Sequence, residues 1–224
     1  MSHDQETTIA DVLRGRMATY QFLSRLFRVE VDQELYDTLV SMRFPTNTGN
    51  ALVDEGYRMI CGYLSQADGT VLTELAVDYV RAFIGSGNDG FSAAYPYESV
   101  YTSEEHLLMQ DARDSAVAFY LGEELGLPAD NTTPEDHLSF EFQFMAKLIE
   151  RASAALDAGD EARYAELCAK QRTFFDEHLV NWVPRLCADV RAYAQTAFYR
   201  GVADITEGFL QLEDQMIGQS AQAA

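Results

Sequence analysis

Cysteine and basic residues are scarce in this sequence, and both shortages exclude kinds of function. The three cysteines, Cys61, Cys168 and Cys187, are far apart and form no CxxC pair. Scattered cysteines in odd number are typical of reduced thiols, so neither a disulfide framework nor a zinc ribbon is expected. Lysine and arginine number 16 against 36 aspartates and glutamates, which gives a formal net charge of −20. Because such a surface repels phosphate, binding to nucleic acid or to an anionic membrane is disfavoured.

Long apolar runs and the common catalytic motifs are missing as well. No stretch approaches the roughly 18 consecutive apolar residues that a membrane helix needs. The first residues, MSHDQETT, are polar and acidic, unlike a secretory signal or a transit peptide, so we expect a cytoplasmic protein. There is no P-loop, no GxSxG turn and no ExxH pair of a di-iron bundle among the histidines His3, His106, His137 and His178. We therefore predict no enzyme, no cofactor and no metal site.

Helical periodicity is present along nearly the whole chain. Between residues 8 and 28, apolar side chains recur at three- and four-residue spacing, which places them on one helix face. Similar patterns predict further helices over 32–42, 51–66, 70–84, 103–125, 160–177 and 198–214. Another helix is expected after Asn181 as its cap, with Pro184 in its first turn. With no sustained alternating pattern, we predict an all-α fold, a single-domain helical bundle of about 8–10 helices.

The domain is expected to span residues 8–215, between a disordered N-terminus over 1–7 and a frayed tail over 216–224. Its one long interruption contains the sequence GSGNDGFSAAYPYESVY, in which Pro96 blocks helix formation and restrains Tyr95 to extended geometry. A loop of this length is uncommon in a compact domain unless it has a function. We therefore predict a long functional loop over 86–102.

The sequence TTPEDHLSFEFQFMAKL carries the clearest helix start signal. Thr133 is the expected cap and Pro134 the first helical residue, with Glu135 and Asp136 at the positive helix end; the helix is expected to end near Asp157.

The polar and aromatic residues of this helix start and of the long loop can also have purely structural roles. Asp136 can take part in a capping box, His137 can be satisfied locally, the tyrosines can anchor the loop, and Glu98 can be simply solvated.

Together, these segments resemble the TorD/DmsD family, which are cytosolic chaperones of molybdenum-cofactor oxidoreductases. The resemblance runs from about residue 9 to 214 and rests on four motifs in this sequence: Phe83-Ile84-Gly85, Pro96-Tyr97-Glu98-Ser99, Pro134-Glu135-Asp136-His137-Leu138 with Glu141, Phe144 and Met145, and HLVNWVPRLCADV. There are departures from the family pattern. Ser86 stands where the family often has proline, and Trp182 is the only tryptophan.

The resemblance implies a helical chaperone that binds the twin-arginine leader, the apo catalytic subunit, or both, of a molybdopterin oxidoreductase resembling DMSO or TMAO reductase. It also implies help with cofactor insertion before export, and no metal. The residues expected to bind the client are Phe83, Tyr95, Pro96, Tyr97, Glu98, Ser99, Tyr101, Pro134, Asp136, His137 and Glu141. The chain is expected to be a monomer or a domain-swapped homodimer.

A leader of this kind combines an arginine pair with an apolar stretch. We predict that Glu98 and Asp136 pair with the arginines, while Phe83, Tyr97 and Tyr101 supply aromatic surface. The acidic surface would steer a basic peptide, or it only keeps the protein soluble. Three other functions stay open: a nitrate-reductase-type chaperone that binds the enzyme body, a weak GTP-binding or GTP-hydrolysing helical protein, and an interaction protein without such a client.

Overall fold

A computed structural model describes residues 8–66, 68–85, 92–128 and 130–223, with side chains described as far as residue 218. Within these ranges the regular elements are ten α-helices and one π-helical turn, and no strand. The helices are α1 Ile9–Arg28, α2 Gln33–Ser41, α3 Ala51–Ser65, α4 Val71–Tyr79, α5 Glu98–Thr102, α6 Asp111–Gly122, α7 Leu138–Asp157, α8 Glu161–His178, α9 Val183–Tyr193 and α10 Ala197–Ala223. The all-α prediction is confirmed.

Helix α7 lies at the centre of the bundle, between α1 and α8. Most of its residues are buried, so its first half is enclosed on almost all sides, polar Ser139 and Glu141 included. Helix α1 begins at a capping box between Thr8 and Asp11 and buries Tyr20 and Phe27 against α7. These rings meet Phe142 edge to face, with centroids 5.5 and 6.3 Å away, an arrangement that aromatic pairs prefer.

Helices α3 and α10 pack with their backbones in direct contact. A Cβ atom on Gly56 would lie 2.5 Å from the carbonyl oxygen of Gly201, and one on Gly201 would lie 2.7 Å from that of Gly56. Real Cβ atoms do not approach backbone this closely, so both positions require glycine. Asp78 of α4 fixes the start of α10, since its carboxylate accepts hydrogen bonds from the backbone N–H groups of Gln195 and Thr196.

Three predicted helix boundaries are wrong near the candidate site. Helix α7 begins at Leu138, with extended His137 as its cap, rather than at Thr133 and Pro134. The predicted helix over 103–125 is reduced to α6, because 103–110 is irregular, with left-handed backbone at His106 and Met109. The end of the predicted loop, 98–102, is the helix α5.

The remaining differences concern helix ends. Helix α4 ends at Tyr79 and continues as the π-helical turn Val80–Ile84. The cap of α9 is Trp182 instead of Asn181, while Pro184 stands in the first turn as predicted. Helix α10 extends to Ala223, beyond the predicted end at 214 and into the segment 216–224 that was expected to fray. Residues 1–7 and the loop residues 86–91 lie outside the described ranges.

Candidate functional site

The two motifs that suggested a site are joined through their backbones. Tyr97 and His137 form an isolated antiparallel bridge. The N–H of Glu98 donates to the carbonyl of Asp136 at 3.0 Å, and the N–H of Leu138 donates to the carbonyl of Pro96 at 2.9 Å. The two segments therefore lie directly against each other.

This bridge explains why α7 begins late. The backbone groups around residue 137 are used to pair with the segment before α5, so they are held in extended geometry and not in a helical turn. Helix α7 is then capped by the His137 side chain, whose Nδ1 accepts a hydrogen bond from the N–H of Ser139 at 3.1 Å.

Asp136 is not an exposed carboxylate, contrary to expectation. Its side chain is fully buried, and Oδ2 accepts a hydrogen bond from the N–H of Ser99 at 2.9 Å. It therefore caps the start of α5 and not the start of α7, which rules out the predicted capping box with Thr133. Burial raises the pKa of Asp136, against the lowering effect of the hydrogen bonds from Ser99. In this conformation Asp136 cannot pair with an arginine of another molecule.

Glu98 is also buried, so both the predicted arginine pairing and simple solvation are wrong for this conformation. Only 2% of it is exposed. Its Oε2 lies 2.7 Å from Nδ1 of His178, and Oε1 accepts a long hydrogen bond of 3.4 Å from the side-chain amide of Asn181. Sequence reasoning missed His178 because this residue is 80 positions away in the chain.

Glu141 completes this buried group. It is fully buried, and neither carboxylate oxygen has a hydrogen-bond partner. Burial, followed by the negative charges of Glu98 and Asp136, raises its pKa well above the ordinary value, which favours the protonated form.

A cleft of about 390 Å³ lies on the outer side of the bridge. Four of the predicted residues line it: Phe83, Pro96, Tyr97 and His137. The sequence did not place the other lining residues in the site. Ile84 was named only within a motif and Thr133 only as a helix cap, and the rest are Arg28, Val29, Glu30 and Tyr79. Several of these residues lie at the end of α1 or in the π-helical turn. A sequence pattern that shows where a helix ends does not indicate that a cleft lies there.

The walls of the cleft are aromatic. The rings of Tyr97 and His137 meet edge to face with centroids 4.9 Å apart, and those of Tyr79 and Phe83 are 5.1 Å apart. Burial, together with the charge of Arg28, lowers the pKa of His137 to about 3, so its imidazole is neutral at pH 7. His137 therefore contributes an uncharged ring to the wall of the cleft.

The rim of the cleft is apolar, with one charge of each sign. Val29 and Ile84 are exposed residues of the lining, and Val77 and Val80 are exposed apolar residues that precede Ile84 in the chain. The guanidinium of Arg28 lies 4.1 Å from the centroid of the Phe140 ring, a cation–π geometry. Glu30 is the exposed carboxylate of the lining.

The other predicted residues lie beneath the cleft or beside it. Tyr101 packs against Trp182 and donates to Asp189 at 2.9 Å. Tyr95 approaches Ser92, with their hydroxyl oxygens 3.2 Å apart. Ser99 is fully buried, and Pro134 is half-buried outside the lining. The predicted site residues thus fall into two groups: those that line the cleft, and those that are packed beneath it or beside it.

Comparisons with known proteins agree with these motifs. Residues 50–188, more than half of the chain, match the family described as nitrate reductase delta subunit. A chaperone protein TorD from Photobacterium profundum is 34% identical over 143 residues, 62% of each chain. TorD chaperones from Aliivibrio salmonicida and Vibrio vulnificus are 28% and 26% identical, over 88% and 91% of this chain and 92% and 95% of their own.

None of the described helices combines the length and the apolar character needed to span a bilayer. On the family match, the similarity to TorD chaperones and the two joined motifs, the chain belongs to the nitrate reductase delta subunit family and, within it, to the TorD/DmsD group of molybdoenzyme maturation chaperones.

Proposed function

We propose that the chain is a cytoplasmic chaperone that binds the twin-arginine leader of a molybdopterin oxidoreductase and assists cofactor insertion into the apo catalytic subunit before export. The observation that carries this proposal is the aromatic cleft with an apolar rim, built from the two joined motifs. Its relatives are named chaperones, which supports a binding role rather than a catalytic one.

The apolar part of the leader is the natural occupant of the cleft. Phe83 and Tyr97 provide wall surface, and Ile84 provides an exposed aliphatic side chain at the rim. Burying one such side chain contributes roughly 1.5–3 kcal/mol. Two or three of them contribute about 3–9 kcal/mol, which offsets part of the roughly 4–15 kcal/mol that association costs, so the attraction between the acidic surface and the arginines is also needed.

The arginine pair requires exposed carboxylates, and Glu98 and Asp136 do not provide them in this conformation. Glu30 is the carboxylate placed to meet an arginine at the edge of the cleft. The net charge of −20 adds long-range attraction for a basic peptide. In this proposal Glu98, Ser99, Asp136 and Glu141 support the shape of the site, and the client contacts its lining.

Calorimetric titration with a twin-arginine leader tests the proposal. The peptide comes from a molybdoenzyme encoded beside the chain, and a second peptide has both arginines replaced. Ile84→Ser should weaken binding of the first peptide at least about tenfold, because it removes apolar surface from the rim. Glu30→Gln should weaken the first peptide and leave the second unchanged.

A matched control comes from the other end of α1. Ile9 is 59% exposed and Ile84 54%, but Ile9 lies about 28 Å from Arg28 along the helix axis. Ile9→Ser should therefore leave the affinity unchanged. Equal losses in the two variants, or no binding of either peptide, would refute leader binding at this cleft.

A second candidate function is binding to the body of the apo-enzyme. Leu107, Leu108 and Met109 are consecutive exposed apolar side chains on the irregular segment before α6, and such patches often mark protein contacts. If this surface is the main contact, Met109→Ser should reduce capture of the leaderless catalytic subunit, while Ile84→Ser should not. A pull-down with the leaderless subunit separates the two candidates.

A further inference from the structure

Three potential metal ligands meet in the interior, on three different helices. Glu98 opens α5, Glu141 is in the first turn of α7, and His178 ends α8. Each offers one ligand atom, and these atoms lie within 4.8 Å of one another. All three side chains are buried.

Glu141 is the member whose position the fold does not explain. Both of its oxygens are buried, and among the described residues neither has a partner in hydrogen-bonding geometry, although Glu98 and Trp182 are near enough to influence its pKa. A carboxyl group in this situation loses its hydration without full replacement, which is destabilising even when the group is protonated. Its neighbour Glu98 does not have this problem, because His178 and Asn181 contact it.

Among the described residues, no lysine or arginine compensates the two carboxylates. The ion pairs within the described ranges bring neither of them to Glu98 or Glu141, and His178 is the only basic partner. This differs from Glu123, a buried carboxylate that contacts Arg151, Arg163 and Lys170.

The imidazole is held as metal-binding histidines are. Phe174 stacks on the ring of His178, with centroids 4.7 Å apart, and Phe119 meets it edge-on at 5.2 Å. Nε2 lies 3.2 Å from the hydroxyl oxygen of Ser115. Nδ1 faces Glu98 and Nε2 faces the Ser115 hydroxyl. A metal-binding histidine typically has such a hydrogen-bond partner on the ring nitrogen that does not bind the metal, and this partner orients the ring.

We infer that Glu98, Glu141 and His178 form a binding site for one divalent first-row transition-metal ion, of the class that zinc represents. One imidazole and two carboxylates suit zinc, iron(II) or manganese(II), whereas magnesium and calcium prefer oxygen ligands alone. An ion of charge +2 neutralises both carboxylates.

Binding requires small rearrangements. Metal–ligand bonds of about 2.0–2.2 Å place ligand atoms roughly 3–3.5 Å apart. Oε2 of Glu98 and Nδ1 of His178 are now 2.7 Å apart and the whole set lies within 4.8 Å, so the side chains must adjust around the ion. In the metal-bound form Nδ1 of His178 carries no proton and Nε2 carries the ring hydrogen, which it donates to the Ser115 hydroxyl; any proton displaced from the ligands is released to solvent. Because the ligands are buried, the ion enters during folding or by local opening, and it then ties α5, α7 and α8 together.

Zinc uptake by the full chain tests the inference. The protein is stripped with a chelator and divided. One half is incubated with zinc chloride while folded, the other is refolded with zinc, and both are gel-filtered before metal analysis. We expect one zinc per chain in at least one arm and a higher thermal unfolding midpoint. Glu141→Gln, of nearly equal shape, should lower the affinity at least about 100-fold.

Cys61→Ser is the control for surface binding, since Cys61 is an exposed thiol; this variant should keep one zinc. His178→Gln is a second test of the cluster, in case Glu141→Gln does not fold. The inference is overturned if neither arm retains zinc, or if a folded cluster variant retains it as tightly as the parent. Loss of zinc in Cys61→Ser would also overturn it. Leader binding is not involved in any of these outcomes.

Discussion

Two of the buried polar clusters among the described residues balance charge differently. Arg16 of α1 donates to both oxygens of Glu213 on α10, at 2.8 and 2.6 Å, and to Gln171 at 2.7 Å. One cation thus meets one anion in a two-bond geometry. The Glu98–Glu141–His178 cluster has two carboxyl groups and one imidazole. In the first cluster the charges of its own side chains cancel, and we call it the complete cluster. The second, the incomplete cluster, has a surplus carboxyl group and lies beneath the candidate site.

The largest effect is expected from breaking the complete cluster. Glu213→Gln leaves the buried guanidinium of Arg16 without its counter-charge, and we expect a loss of about 3–5 kcal/mol in the free energy of unfolding. Urea unfolding followed by circular dichroism measures it. The exposed Arg172–Asp214 pair is the control, and Asp214→Asn should change the free energy by less than about 1 kcal/mol. If Glu213→Gln and Asp214→Asn lost similar amounts of free energy of unfolding, the buried pair would be no more important for stability than the exposed one.

The buried histidines extend the comparison, because His178 faces a carboxylate while His137 lies near Arg28. The pKa of His137 falls from 6.5 to about 3 on folding, so the unfolded chain binds the extra proton. The stability from this group is complete above pH 6.5 and is lost as the pH falls toward 3.

This loss should reach up to about 3 kcal/mol near pH 4. His137→Asn keeps an acceptor for the N–H of Ser139 but does not titrate. The stability of the parent should therefore fall more steeply than that of the variant between pH 6.5 and pH 4. Parallel curves in chelator-treated samples would show that His137 is not buried as a neutral group.

The same glutamate-to-glutamine change should have little effect in the incomplete cluster. Without metal, Glu141→Gln removes no hydrogen bond, so we expect the free energy of unfolding to change by less than about 1 kcal/mol, or to rise. Chelator-treated protein at pH 7 is the sample. A loss as large as that of Glu213→Gln would mean that Glu141 has a structural partner, and the contrast between the clusters would disappear.

The smallest effect on stability is expected at the cleft. Ile84→Ser changes an exposed side chain, so its free energy of unfolding should stay within about 0.5 kcal/mol of the parent. The same variant is expected to lose leader affinity. If stability and affinity fall together, Ile84 belongs to the packing and not to a binding surface.

Most of the fold could be predicted because it follows local rules. The apolar spacing in α1, the stop near Asp157 and Pro184 in the first turn of α9 are all properties of short segments. The start of α7 could not be read in the same way. Thr133 and Pro134 form a good helix start, but pairing with the Pro96 segment overrides it, and that contact spans about 40 residues of sequence.

The site was predictable in its residues but not in their exposure. The motifs named Tyr97 and His137, and both line the cleft as neighbours. They could not show that Glu98 faces His178 inside the bundle, since charged residues are almost never fully buried unless they are paired. Burial of a carboxylate depends on partners from distant helices, which a single sequence does not display.

The close approach of Gly85 to Ser92 has a practical consequence. Gly85 has φ near 69°, and a Cβ there would lie 2.7 Å from the hydroxyl of Ser92, while the N–H of Ala94 donates to the carbonyl of Ala82 at 2.8 Å. Both ends of segment 86–91 are therefore anchored together. Doubling the length of a chain between anchored ends costs only about 0.6 kcal/mol. A fluorescent or affinity tag inserted there would report on the neighbouring cleft while leaving its walls in place.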